Sequence, residues 1–165
     1  MKPALSTSFD YEGMHILADW YDIASKDIIP DIAWQQVYVI GNLDGKVPLV
    51  TNSDSTLPYN LPGGHVELGE SIEQTLIREL IEECNMRVIS WEPIGYQLLT
   101  EPDGTQVAQF RAYAVLEKIG EFLHDPGGAV VSNTLIDIDE LEQHINYGDI
   151  GARMVQLVGP YFTVR

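Results

Sequence analysis

Apolar positions along this chain follow two rhythms. From Ser71 to Cys84, Ile77, Leu80, Ile81 and Cys84 fall on one stripe when residues are spaced at about 100° each, which predicts a helix with that stripe in the core. Ser71 followed by Gln74 reads as a capping box that starts it. A second stripe of helical period, Met14, Leu17, Tyr21 and Ala24 widened by Ile16, Trp20 and Ile23, predicts a helix over Asp10 to Ala24. That would make an N-terminal helical extension at about residues 10–25, packed on its own sheet or, as the other use of such a stripe, against a second copy, so a homodimer stays open.

The remaining pattern is strand-like. Ala33 to Ile40 and Val47 to Val50 read as strands, with Leu43-Asp44-Gly45-Lys46 as a hairpin cue between them. Asn52 to Asn60 is a polar loop. Val88 to Thr100 and Thr105 to Leu116 read as two long strands turned by Pro102-Asp103-Gly104. Lys118 to Gly128 is a loop, Ala129 to Ile136 a strand, and Asp139 to Asn146 and Asp149 to Val158 are helices, the first capped by Asp137 or Asp139. No repeat or linker divides the chain, so strands interrupted by a few helices point to one α+β domain over residues 1–165.

Charge alters this picture at one place. The helix from Ser71 carries Glu79, Glu82 and Glu83 at i,i+3 and i,i+4 spacing, with Glu70 just ahead of it, Arg78 within it and no lysine. Like charges at such spacing cost only roughly 0.2–0.5 kcal/mol per pair, so a solvated acidic face is one explanation. A hard divalent cation is the other. The turn Leu61-Pro62-Gly63-Gly64 lets backbone approach a ligand closely. Oxygen-only ligands suit Mg²⁺ or Mn²⁺ better than zinc, and the planar fork of Arg78 can orient a carboxylate.

Gly64, Glu70, Arg78-Glu79-Leu80-Ile81-Glu82-Glu83 and Cys84-Asn85-Met86, at their spacing, resemble the Nudix box of Nudix hydrolases. Tyr59-Asn60-Leu61-Pro62-Gly63 resembles that family's lead-in. The resemblance implies an α/β/α sandwich with a mixed sheet between helices. It also implies metal-dependent hydrolysis of a diphosphate linkage in a nucleoside diphosphate derivative, with Mg²⁺, or Mn²⁺, as cofactor. Glu79, Glu82, Glu83 and Arg78 then match catalytic positions, and Gly64, Glu70, Glu79, Glu82 and Glu83 match metal-site positions. The chain departs from the box at Asn85, where glycine is usual. Asparagine tolerates the left-handed conformation next best, so the expectation is a structural cost with the site intact. Thr75 and Leu76 stand where small residues are common. The loop Thr51 to Tyr59 lacks the basic residues many relatives carry.

Other candidates carry less. Arg111 could meet a substrate phosphate or pair with a surface acid; Glu121 and Asp125 could supply a general base or be solvated loop residues. Pro102, 16 residues past the box, hints at ADP-ribose-like substrates in some relatives, although proline before Asp-Gly is ordinary turn chemistry. His65 adjoins Gly64, but His15, His65, His124 and His144 show no metal-ligand spacing. Tyr96, Phe110 and Tyr113 could stack on a base and fit core packing better. Cys84, the only cysteine, reads as a small core hydrophobe.

With 25 acidic against 9 basic residues the net charge is −16, which argues against nucleic acid as a partner. An anionic nucleotide would be repelled except where metal reverses the field. No apolar run is long enough to span a bilayer, so the expectation is a cytoplasmic protein without a membrane partner. A non-catalytic Nudix-like nucleotide sensor is the alternative function, and loss of box carboxylates, its expected mark, is absent.

Overall fold

The computed structural model describes residues 2–53 and 58–163. In chain order the elements are β1 (Leu5–Tyr11), β2 (Met14–Asp22), β3 (Gln36–Asn42), β4 (Val47–Asn52), β5 (Gly63–His65), α1 (Ile72–Cys84), β6 (Met86–Thr100), β7 (Gln106–Lys118), β8 (Val130–Ile136), α2 (Leu141–Ile145) and α3 (Gly148–Thr163). Six strands form one sheet in the order β1-β2-β6-β7-β3-β5, with β3 and β7 parallel and the other neighbours antiparallel. β4 and β8 pair separately.

Strand alternation decides which helix covers which face. Val37 and Val39 of β3 and Phe110, Ala112 and Ala114 of β7 point to the face covered by Leu76, Leu80 and Cys84 of α1. Ile40 and Tyr113 point the other way, into a core with Leu141 and Ile145 of α2 and Ile150, Met154 and Val158 of α3. The result is the α/β/α sandwich expected from the box, with a mixed sheet between helices.

The N-terminal helix expected over Asp10 to Ala24 is instead the β1–β2 hairpin. Glu12 (φ 50°) and Gly13 (φ 80°) form its two-residue turn. Ile16, Ala18 and Trp20 are buried alternately on β2, whereas Met14 and Leu17, from the supposed helical stripe, are exposed. The segment carries both periods, and pairing of β2 with β6 selects the period of two. The Leu43–Lys46 turn forms as expected, with Asp44 (φ 52°) and Gly45 (φ 86°) left-handed and Leu43 and Lys46 exchanging backbone hydrogen bonds of 2.9 and 3.0 Å. β4 then leaves to pair with β8 instead of continuing alongside β3. Pro102-Asp103-Gly104 is a turn, closed by the Gly104 N–H donating to the Glu101 carbonyl. Of the Thr51–Tyr59 loop, residues 54–57 lie outside the described residues.

α1 begins as predicted: the Gln74 N–H donates to Ser71 Oγ at 3.2 Å and the Ser71 N–H to Gln74 Oε1 at 2.8 Å. Its buried face differs from the apolar stripe. Thr75, Leu76, Glu79, Leu80, Glu83 and Cys84 are buried, while Ile77 and Ile81 are 38% and 45% exposed. The helix is turned so that Glu79 and Glu83 face β5, which an apolar periodicity cannot foresee.

Asn85 ends α1 in the left-handed region (φ 53°, ψ 46°), and its Nδ2 donates to the Glu121 carbonyl at 2.8 Å. The side chain therefore ties the helix end to the loop after β7. Glycine there should gain conformational freedom and lose the tie, leaving unfolding free energy within about 1 kcal/mol of the unaltered protein. Asn85→Ala should cost roughly 1–2 kcal/mol, from left-handed strain added to the lost bond. Urea unfolding of the two variants checks this ordering.

Candidate active site

The glycine turn and α1 meet at close range. The Gly63 N–H donates to Glu83 Oε2 at 2.8 Å. A Cβ on Gly64 would lie 2.5 Å from Glu79 Oε1, so only glycine lets the Glu79 carboxylate lie against this backbone. Arg78 gathers the acids: Nε donates to Glu70 Oε1 at 2.8 Å and Nη2 to Glu70 Oε2 at 3.0 Å, a bidentate pair. Nη1 donates to Glu79 Oε1 at 2.8 Å and lies 3.4 Å from Glu82 Oε2, and Nη2 also reaches the His65 carbonyl at 2.9 Å. Glu70 Oε2 accepts further bonds from Thr75 Oγ1 (2.8 Å) and the Glu67 N–H (3.1 Å). Glu70 is thus occupied in holding Arg78, while Glu79, Glu82 and Glu83 line up along the side of α1 nearest the glycines.

Burial sets the electrostatics. Glu83 is pushed up to about 8, first by burial, then by Glu79, Asp125 and Glu82, against the opposing Gly63 N–H. Burial also raises Glu79, partly offset by Arg78. Hydrogen bonds from Arg78 hold Glu70 down at about 2, and the same bonds raise Arg78. Two partly buried carboxylates that resist ionising side by side are a site short of positive charge.

That imbalance has a consequence for the metal-free protein. The folded chain keeps a proton on Glu83 up to about 8, whereas the unfolded chain releases it near 4.5. Between these values the folded state binds more protons, so stability is greatest below the lower value and is lost as pH rises through the upper one. In a chelator the melting temperature should fall from about pH 5 to about pH 8, and calorimetry across that range checks it.

The other predicted residues separate. Asp125 joins the cluster: it is buried, acts electrostatically on Glu79 and Glu83, and accepts the N–H groups of Gly127, Ala129 and Val130 at 2.8, 2.9 and 2.9 Å. Glu121 does not; its exposed carboxylate pairs with Lys118 at 2.5 Å. Arg111 is 2% exposed and stacks over Tyr38 at 4.5 Å, so it is no surface ion pair. Tyr96, Phe110 and Tyr113 are buried core residues. Pattern reasoning missed Tyr38, Thr75, Gln36, Gln97 and Gln109. The signal was there for one of them: Gln109 and Arg111 alternate with Phe110 and Ala112 on β7.

The donor chemistry fits a hard divalent cation: Glu79, Glu82, Glu83 and Asp125 offer oxygen only, next to a backbone that glycine keeps open. As they stand, no three acidic, histidine or cysteine side chains among the described residues are already gathered into a cage. Arg78 holds Glu79 and Glu82 meanwhile. Among those residues no helix is long and apolar enough to cross a membrane.

Comparison with known proteins defines the class. The NUDIX domain model matches residues 35–158, and the chain belongs to the Nudix family. It is 34% identical over 96 residues to the putative mutator protein MutT4 of Mycobacterium tuberculosis, covering 56% of this chain and 38% of that protein. It is also 34% identical over 68 residues to the NAD-capped RNA hydrolase NudC of Pectobacterium carotovorum, covering 41% of this chain and 25% of that one. The chain thus spans well under half the length of both relatives. The fold resembles a Bacillus subtilis pyrophosphohydrolase, BsRppH, with a TM-score of 0.60 at 23% identity over 79% of this chain and 77% of that one. Nudix hydrolases generally use divalent metal ions.

Proposed function

We propose that residues 1–165 form one Nudix hydrolase domain that cleaves the diphosphate linkage of a nucleoside diphosphate derivative by attack of water at phosphorus, with Mg²⁺ as cofactor and Mn²⁺ able to replace it. The observation that carries this is the gathering of Glu79 and Glu83 of α1 against the Gly63-Gly64 backbone, with Glu82 tied to Glu79 through Arg78. Gly64, Glu79, Glu82 and Glu83 would hold the metal, which when bound neutralises phosphate charge and activates water. Arg78, braced by Glu70, orients Glu79 and Glu82. Glu70 serves the metal site from behind, because Arg78, Thr75 and the Glu67 N–H already occupy its oxygens. Of the two loop acids only Asp125 lies with the cluster, its carboxylate fixed by three backbone N–H groups, whereas Glu121 is held by Lys118.

Turnover of a panel of nucleoside diphosphate derivatives and triphosphates with Mg²⁺ tests this, together with isothermal calorimetry of Mg²⁺ binding. Glu82→Gln should lower kcat by roughly a hundredfold or more and weaken Mg²⁺ binding. Unchanged turnover would sink the assignment. Saturable nucleotide binding with no turnover under any metal would assign a sensor instead.

A further inference from the structure

A sheet face under helices is expected to be apolar, and on the α2–α3 side this holds through Ile40 and Tyr113. One register step later it stops. There Gly95, Arg111, Tyr38 and Gly63 are aligned across β6, β7, β3 and β5; the next step aligns Gln97, Gln109, Gln36 and His65. The glutamines are joined: Gln97 Nε2 donates to Gln109 Oε1 at 2.5 Å, Gln109 Nε2 donates to Gln36 Oε1, and Gln36 Nε2 lies 3.4 Å from His65 Nε2. Gln36 and Gln109 are half-buried and His65 is exposed, so the row opens to solvent at the β5 edge.

Arg111 closes the inner end. It is 2% exposed in a chain with 25 acids, yet its partners are neutral: Nη2 donates to Gln109 Oε1 at 2.9 Å and Nη1 to the Phe110 carbonyl at 3.3 Å. Its ring neighbours are Tyr38 at 4.5 Å and Tyr147 at 5.9 Å, and Nε has no partner. A buried guanidinium with a free donor and no carboxylate is costly unless something from outside completes it. Tyr38, on which Arg111 stacks, pairs across the ladder with Gly63 of the glycine turn. A Cβ on Gly63 would sit 3.0 Å from Tyr38 Cδ1, and the Gly63 N–H is the one bound to Glu83.

We propose that this polar end of the sheet holds the nucleobase of the substrate, and that Arg111 selects a 6-oxopurine, guanine or hypoxanthine. This rests on the hydrolase reading above. A phosphate subsite would collect donors alone, whereas this row presents amide donors and acceptors together with tyrosine rings, the chemistry of a planar heterocycle. A 6-oxopurine sets two adjacent acceptors, O6 and N7, against a guanidinium; adenine sets an amino donor there, and pyrimidines offer no such pair.

Calorimetry of the full chain with Mg²⁺ and GMP, IMP, AMP and 7-deaza-GMP tests it. GMP and IMP should bind roughly ten- to a hundredfold more tightly than AMP, and 7-deaza-GMP should lose much of that advantage. Arg111→Gln should erase the preference, and the 7-deaza comparison needs no variant if that one fails to fold. Equal binding of GMP and AMP, indifference to N7, or binding of none of the four overturns the proposal. Glu83→Gln separates the two readings: it should abolish turnover and keep the base preference. Carboxylate-dependent turnover that ignores the base would leave the hydrolase standing and remove this inference; base preference in binding with no turnover under any metal would do the reverse.

Discussion

Glu83→Gln should lower kcat by roughly a thousandfold in saturating Mg²⁺ and, without metal at pH 8, should raise the melting temperature. Both effects come from one carboxylate. Charge stabilisation by a bound metal amounts to several kcal/mol in a phosphoryl-transfer transition state, and a ligand that cannot ionise forfeits much of it. In chelator the same charge is a burden, since burial and the neighbouring Glu79, Asp125 and Glu82 resist ionisation of Glu83. The amide keeps an oxygen to accept the Gly63 N–H, so the fold loses nothing there. The variant should also lose most of the pH dependence of melting between about pH 5 and pH 8. A carboxylate with a purely structural task would give losses in both measurements. A kcat within threefold of the unaltered protein would remove Glu83 from the chemistry.

Arg78→Gln should show the opposite stability effect. Arg78 is half-buried and serves Glu70, Glu79, Glu82 and the His65 carbonyl at once. Removing it leaves several carboxylates without a counter-ion, and breaking this half-buried network from one side should cost roughly 2–3 kcal/mol, below the cost for a fully buried pair. Urea unfolding in chelator measures this, and Mg²⁺ should restore part of the loss by supplying positive charge. Glu70 gives a second signature. Its carboxyl is held down at about 2 in the folded protein, so this contribution is present above about 4.5 and is lost as pH falls toward 2. In Arg78→Gln that acid limb should flatten. Arg78→Lys keeps the charge without the fork, so it should recover stability in part and activity little. A destabilisation below 1 kcal/mol would show the network to be dispensable.

The site was more legible in the sequence than the topology around it. Gly64, Glu70, Arg78 and Glu79 are fixed by local spacing on one turn and one helix, and the capping box and left-handed Asn85 are equally local. The β1–β2 hairpin was missed because Met14 to Tyr21 satisfies two periods, and only its pairing with β6, far along the chain, chooses between them. The burial of Glu79 and Glu83 in place of Ile77 and Ile81 depends on contact with Gly63 and Gly64 of β5. The glutamine row was invisible for a related reason. Its members come from β6, β7 and β3, and the register that aligns them is a tertiary fact.

Cys84 lies with Leu80 beneath the sheet, 1% exposed, and burial raises its thiol far above neutrality. It is the chain's only cysteine, so its thiol should ignore maleimide reagents while the protein is folded. A cysteine placed at an exposed position such as Leu123 would then take a fluorophore or spin label alone. The molecule thus comes ready for distance and binding spectroscopy, without a cysteine-free background having to be made first.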